Sequence, residues 1–145
     1  MNEAQTQNEV GFGIALRAAI FHQGKILLLL RSRPSKGEYG FWELPGGRMN
    51  LGECYEDAVK REVFEETGLK ISVLRPLNVF DARRDIDTQV VGITFLCALE
   101  SEDLKVLLSD EHLDSEWVSF DHIGTKKIIP GLNREAALWK IGEQG

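Results

Sequence analysis

The segment from Gly47 to Leu69 constrains the fold of this chain more than any other part of it. The segment reads GRMNLGECYEDAVKREVFEETGL, and its residues 53–67 are predicted to form a helix. Gly68 suits the left-handed position that follows a helix. Three glutamates of the helix fall within about a third of a turn, because successive residues are about 100° apart. The three are Glu62, Glu65 and Glu66. Like charges at this spacing repel each other, so the helix needs a cation beside it.

An apolar stripe of Tyr55, Val59 and Val63, each four residues apart, borders these glutamates. The carboxylates therefore lie at the margin of the buried face rather than on the outer, solvated face. Carboxylate oxygens suit hard cations, and we expect Mg²⁺ or Mn²⁺. Three glutamates could hold more than one ion when a phosphate group bridges the ions. The alternative, a solvated acidic surface, describes Glu56 and Asp57, which we leave out of the site.

Arg61 has two interpretations. It could pair with Asp57 on the helix surface, an interaction worth less than about 1 kcal/mol. It could instead reach back and orient a ligand glutamate, as groups behind a metal ligand do. We favour the second interpretation, because a guanidinium can hold a carboxylate through two hydrogen bonds.

Gly46 and Gly47 follow Pro45 and precede the helix. Glycines at such a place let the backbone come close to a ligand, and the carbonyl of Gly46 could complete the shell of a metal. A plain tight turn is the alternative interpretation of the same two residues.

The rest of the chain predicts strands before, between and after two helices. The strands are expected at residues 13–21, 26–31, 41–44, 71–79, 90–99 and 116–120, and the second helix at 132–141. A turn at Gln23–Gly24 joins the first two strands into a hairpin. Residues 33–40 and 81–88 are expected to be loops, residues 1–9 a flexible tail, and residues 10–145 one domain. This order favours an α/β fold in which helices cover a mixed sheet.

Composition excludes several classes of function. The net charge of −6 argues against a general nucleic-acid binder, which needs a basic face. Cys54 and Cys97 belong to no metal-binding or redox motif, so no disulfide is required. No apolar run reaches membrane-spanning length, and the polar N-terminus does not resemble a signal peptide. We therefore expect a soluble, cytoplasmic protein that does not bind membranes.

The acidic segment resembles the Nudix box at every defined position of that motif. The motif residues are Gly47, Glu53, Arg61, Glu62, Val63, Glu65, Glu66, Gly68 and Leu69, at the spacing of the family. The flanking segments 41–46 and 117–118 also resemble the family, so the likeness covers about residues 13–124. The resemblance implies a Nudix-type α/β/α sandwich around a central mixed β-sheet.

The resemblance also implies an activity, the Mg²⁺- or Mn²⁺-dependent hydrolysis of a pyrophosphate bond in a nucleoside diphosphate derivative. By the same likeness, Glu62, Glu65 and Glu66 bind the metal, Arg61 orients one of them, and Glu53 places the site and assists catalysis. Glu111 resembles a glutamate that some members use as the base that activates water. A surface acid is the alternative interpretation of Glu111, and Asp110 or Asp114 could be confused with it.

The sequence does not resolve the substrate. Some ADP-ribose-cleaving members carry a proline sixteen residues past the box, where this chain has Asp85. Arg31 is a weak candidate for a contact with a substrate phosphate. A nucleotide sensor without activity and an RNA 5′-end hydrolase are the rival functions; the complete box argues against the first, and the acidic charge against the second. A homodimer is an open expectation.

Overall fold

The computed structural model describes residues 11–32 and 40–141. The expected tail at residues 1–9 and most of the expected loop 33–40 lie outside this part of the chain. The described residues form, in order, β1 (Gly11–His22), β2 (Lys25–Arg31), β3 (Trp42–Glu43), β4 (Gly46–Arg48), α1 (Tyr55–Thr67), β5 (Ile71–Arg84), β6 (Thr88–Leu99), β7 (His112–Ser119), a 3₁₀ helix (Phe120–Thr125) and α2 (Leu132–Ala136).

The strands form one mixed sheet. Its main order is β3-β2-β1-β6-β5, and β4 pairs with β1 while β7 pairs with β2. β1 and β6 run parallel, whereas the hairpin pair β5 and β6 is antiparallel. One buried cluster lies between the sheet and α1, and a second lies between the opposite face and α2 with the 3₁₀ helix. The predicted α/β/α sandwich with a mixed sheet is therefore confirmed.

Alternating side chains of β1 supply both clusters. Leu16, Ala18 and Ile20 point to the α1 side, whereas Ala19 points to the α2 side, as the two-residue period of a strand requires. β6 lies inside the sheet and is buried on both faces. The face that carries Leu16 is the one on which the acidic helix packs.

The predicted hairpin between the first two strands is confirmed. His22 pairs with Lys25, and the two residues between them have positive φ angles, 53° at Gln23 and 78° at Gly24. Two successive left-handed residues twist the backbone in the sense that a tight antiparallel hairpin needs.

The acidic helix begins two residues later than predicted and ends where predicted. Cys54 is extended, so Glu53 lies before the helix and is not part of it. At the other end, Gly68 has a φ of 76° and donates its amide hydrogen to the carbonyl of Phe64. Leu69 then folds back into the α1 cluster, which completes a left-handed helix end of the expected kind.

Gly46 and Gly47 lie in a strand rather than in a tight turn, which corrects that part of the prediction. Gly46 pairs with Arg17, and Gly47 pairs with Leu16, in antiparallel register. A side chain at Gly46 would collide with the backbone of β1. The strand was missed because glycine is depleted in strands, whereas here it is required by the close contact between β4 and β1.

Three further boundaries differ from the predictions. The loop expected at 81–88 is a short turn, because Arg83 and Arg84 pair with β6. β7 begins at His112 instead of residue 116, and Phe120 starts the 3₁₀ helix. α2 ends at Ala136, after which the amide hydrogens of Leu138 and Trp139 bond three residues back, as in a tightened final turn.

In residues 11–32 and 40–141, no helix is both long and apolar enough to span a bilayer. Both cysteines are free thiols, with Cys54 exposed and Cys97 buried. The expectation that no disulfide is required is thus consistent with the structure.

The left-handed end of α1 predicts a stability effect at Gly68. Substitution of Gly68 by Ala should lower the free energy of unfolding by about 1–2 kcal/mol, because a side chain disfavours positive φ. The added Cβ would lie 3.4 Å from Leu107, an ordinary contact, so backbone conformation is the cause. Urea denaturation measures the change. Gly11→Ala is the control, since nothing lies within 4 Å of its added Cβ; equal effects of the two changes would contradict the prediction.

Candidate active site

The site is built where β4 lies against α1. The amide of Gly46 donates a 3.0 Å hydrogen bond to Oε1 of Glu66. A Cβ on Gly47 would occupy the position of the Glu62 carboxylate. Gly47 therefore leaves the space that the Glu62 carboxylate occupies, whereas Gly46 lets β4 approach β1 and presents its amide to Glu66.

Glu66 is a buried carboxyl group, with 5% of its surface exposed. Burial raises the pKa of Glu66 to about 9, and the nearby charges of Glu111, Glu62 and Glu43 add to the rise, against the opposing hydrogen bond from Gly46. A carboxylate held in such a place is destabilised unless a positive charge joins it.

Glu62 shares this environment. Burial again raises its pKa, the hydrogen bond from Arg61 opposes the rise, and the charges of Glu65 and Glu111 reinforce it. Glu111 therefore acts electrostatically on both Glu62 and Glu66, although it lies far along the chain in the segment before β7. Glu62 and Glu66, which helical spacing indicated, and Glu111, which the family resemblance indicated, therefore lie within electrostatic range of one another.

Arg61 joins four groups of the site. Its Nε donates to Glu53 at 2.6 Å, and its Nη2 donates to the other oxygen of Glu53 at 3.0 Å. Its Nη1 lies 3.1 Å from Glu62 and 3.3 Å from Glu65. Nη2 also donates to the carbonyl of Arg48, at the end of β4. The guanidinium therefore ties the helix to the segment before it and to β4.

Glu53 faces Arg61 as its bidentate acceptor. The hydrogen bond from Arg61, followed by one from the amide of Asn50 at 2.8 Å, lowers the pKa of Glu53 below its usual value. Glu53 is therefore ionised and fully engaged in holding Arg61. This placement fits an anchoring role for Glu53 better than direct contact with a reacting group.

Glu65 stands apart from the other helix acids. Its side chain is 58% exposed, and its contact within the site is the 3.3 Å approach to Arg61. Across the described residues, no three His, Cys, Asp or Glu side chains surround a common point that would hold a metal ion in this arrangement.

The donor set nevertheless fits a divalent cation. Glu62 and Glu66 have pKa values raised mainly by burial, and a bound cation would stabilise their charged forms. Mg²⁺ takes one or two carboxylates together with waters and substrate phosphates. Rotation of the exposed Glu65 toward the other two would complete a three-carboxylate set, while the backbone of Gly46 lies beside Glu66.

Arg31, the weak candidate for a phosphate contact, and Arg83 each pair with an acid of their own. The Nε of Arg31 donates to Glu43 at 2.8 Å. Arg83 pairs with Asp85 at 3.1 Å beside the β5–β6 turn.

Sequence reasoning missed Glu43 and His112. Nε2 of His112 lies 2.9 Å from Oε2 of Glu43, and the charge of Glu43 contributes to the raised pKa of Glu66. The two residues are 69 positions apart, so no local spacing signals their contact. His112 follows the predicted base Glu111 directly, which is the signal in the sequence that could have drawn attention to it.

Comparison with known proteins assigns the family. The profile described as NUDIX domain matches residues 11–139. The chain belongs to the Nudix family. A curated relative, an ADP-ribose pyrophosphatase from Methanocaldococcus jannaschii, is 34% identical over 139 residues, which is 89% of this chain and 75% of the relative. The prediction of a Nudix pyrophosphohydrolase is confirmed as family and enzyme class.

A solved structure and a further curated relative also resemble this chain. The MutT protein from Methanosarcina mazei Go1 superposes with a TM-score of 0.77 and 28% identity, over 94% of this chain and 99% of that protein. An NAD-capped RNA hydrolase, NudC, from Mannheimia succiniciproducens is 34% identical over 104 residues. That match covers 68% of this Nudix chain but 37% of the relative.

The bidentate contact between Arg61 and Glu53 predicts a specific effect of Arg61→Lys. Lysine keeps the charge but lacks the planar guanidinium with which Arg61 binds both oxygens of Glu53 and also contacts Glu62 and Glu65. We expect Mn²⁺ affinity to fall by about 10-fold to 100-fold, as for other groups behind metal ligands. Electron paramagnetic resonance of free Mn²⁺ measures the affinity, and Lys60→Arg is the control on the neighbouring surface position. Unchanged Mn²⁺ affinity in Arg61→Lys would contradict this role.

The raised pKa of Glu66 predicts how stability depends on pH in metal-free protein. Folding favours the protonated form of Glu66 between its ordinary pKa of 4.5 and about 9, so the free energy of unfolding should fall as pH rises through that range. Urea unfolding in EDTA at pH 5 to 9 measures it. Glu66→Gln should flatten this dependence, whereas Glu56→Gln, an exposed acid of the same helix, should retain it. A Glu66→Gln curve that parallels the wild type would contradict the assignment.

Proposed function

We propose that this chain hydrolyses the pyrophosphate bond of a soluble nucleoside diphosphate derivative in a reaction that depends on Mg²⁺ or Mn²⁺. The single observation that carries the proposal is the pair formed by the buried Glu66 and the partly buried Glu62 beside Gly46 and Gly47, with the charge of Glu111 acting on both acids. Family membership supports the reaction class. The metal, the residue roles and the substrate are our own proposals.

Glu62, Glu65 and Glu66 are the proposed metal ligands, together with the carbonyl of Gly46. When bound, Mg²⁺ or Mn²⁺ supplies positive charge to the phosphate oxygens and lowers the pKa of a water. Glu66 is already oriented by its hydrogen bond from Gly46. Glu62 is oriented by Arg61, so both carboxylates are held before a ligand arrives.

Glu111 is the proposed proton acceptor for the attacking water. It acts electrostatically on Glu62 and Glu66, so a proton released at the metal site has a carboxylate close at hand. Glu53 holds Arg61 through two hydrogen bonds and so supports catalysis indirectly. Arg31 remains a proposed phosphate contact, although its Nε is engaged by Glu43.

ADP-ribose is the first substrate to test. The ADP-ribose pyrophosphatase of Methanocaldococcus jannaschii matches most of both chains. NADH follows, because the similarity to NudC favours a dinucleotide pyrophosphate. The net charge of −6 argues against a large RNA substrate, which would need a basic surface. A cytoplasmic location and a homodimer remain proposals of the same kind.

The direct test measures products from ADP-ribose, NADH, UDP-glucose and nucleoside triphosphates, with Mg²⁺ and with EDTA. Cleavage of the pyrophosphate bond of ADP-ribose yields AMP and ribose 5-phosphate. The proposal expects turnover with Mg²⁺ and none with EDTA. Tight binding of a nucleotide without turnover on any member of the panel would favour the sensor alternative instead.

Glu66→Gln separates the site from the fold. It should lower kcat by about 100-fold or more, because a charge that stabilises the metal and the developing transition state is lost. The neutral amide should leave the protein folded, as judged by circular dichroism. Glu56→Gln, on the exposed face of the same helix, is the matched control and should retain wild-type kcat. Full activity of Glu66→Gln would refute the site assignment.

A further inference from the structure

Three side chains from different strands meet on the face of the sheet that carries α1. Arg31 ends β2, Glu43 ends β3, and His112 begins β7. The Nε of Arg31 donates to Oε1 of Glu43 at 2.8 Å, and Nε2 of His112 lies 2.9 Å from Oε2 of Glu43. Because a carboxylate oxygen only accepts, His112 donates from Nε2. Both oxygens of Glu43 are thus engaged.

A β-bulge places His112 in this cluster. Leu30 pairs with Asp114, but the next residue, Arg31, pairs with His112. Leu113 is therefore the extra residue of β7. An extra residue reverses which face the preceding side chains occupy. Regular alternation from Val118, which packs on the α2 side, would have put His112 on that side also.

The contact between His112 and Glu43 is buried. The side chain of His112 is 3% exposed, and its Nδ1 has no hydrogen-bond partner among the described residues. Burial would raise the pKa of Glu43, but hydrogen bonds and charge from His112 and Arg31 outweigh burial and lower it. Glu43 is therefore an anion held in place by two partners, and removal of one partner would leave it incompletely compensated.

His112 is the residue directly after Glu111. The segment before it is tied to the end of β2, because the amide of Ser32 donates to the carbonyl of Glu111 at 3.1 Å and its hydroxyl donates to the carbonyl of Asp110 at 2.9 Å. These two bonds tie the backbone of Asp110 and Glu111 to Ser32. The side chain of His112, through its bond to Glu43, ties the first residue of β7 to β3. The Glu111 carboxylate is close enough to Glu62 and Glu66 of α1 for its charge to raise their pKa values.

We propose that His112 and Glu43 are positioning residues that hold the Glu111 segment against Glu62 and Glu66. The inference rests on the proposed function, in which Glu111 accepts the proton of the attacking water. In this proposal His112 and Glu43 contact neither substrate nor metal, and they determine where the proton acceptor Glu111 lies. Both oxygens of Glu43 accept hydrogen bonds, one from Arg31 and one from His112, and these bonds orient its carboxylate toward the two partners.

The test uses three variants of the full chain. His112→Phe keeps a ring but removes the donor, His112→Gln restores an amide donor near the position of Nε2, and His122→Ala alters an exposed histidine of the 3₁₀ helix as a control. We expect kcat of His112→Phe to fall by about 100-fold with little change in KM, because a misplaced catalytic group costs about that much. His112→Gln should recover kcat to within about fivefold of wild type.

Amide hydrogen exchange supplies a second readout that does not require turnover. The amides of Ser32 and His112 should exchange faster in His112→Phe and at nearly the wild-type rate in His112→Gln. If wild-type protein cleaves nothing in the nucleotide panel, the proposed function fails. The amide exchange rates of Ser32 and His112 then test by themselves whether His112 holds the Glu111 segment in place. Wild-type kcat in His112→Phe would overturn the inference, as would unchanged exchange at both amides or equal losses of kcat in the Phe and Gln variants.

Discussion

The burial of like-charged carboxylates between β4 and α1 is the constraint on which the rest of the structure depends. Glu66 is nearly inaccessible and Glu62 lies against Gly47, and the pKa values of both acids are raised, first by burial and then by the charges of nearby acids. A fold keeps such an arrangement only if other interactions in the structure offset its free-energy cost. Here three features hold the helix in the position where its acids repel each other. They are the two glycines of β4, the apolar side of α1 and the left-handed helix end at Gly68.

Positive and hydrogen-bonding groups surround this charge on two sides. Arg61 links Glu53, Glu62 and Glu65 on the helix side. Arg31 and His112 form hydrogen bonds with Glu43 on the strand side. Glu66 belongs to neither cluster. In the described structure its carboxyl group accepts a hydrogen bond from the amide of Gly46. A divalent cation with a phosphate ligand is the chemical group that best completes this centre.

Local features of the sequence could be predicted because their causes are local. Helical spacing put Glu62 and Glu66 on one face, and Gly68 marked the end of the helix without reference to any other segment. The contact between Glu43 and His112 could not be predicted, because it depends on the bulge at Leu113 and on the pairing of β2 with β7. The β4 strand was missed for a similar reason, since only its contact with β1 explains its glycines.

The most direct test of the central claim is the anomalous scattering of Mn²⁺ in crystals grown with the ion and a non-hydrolysable ADP-ribose analogue. The account predicts a peak about 2.1 Å from carboxylate oxygens of Glu62 and Glu66, as expected for a small hard cation. A map with no peak beside α1, in which Glu66 keeps only its bond to Gly46, would contradict it.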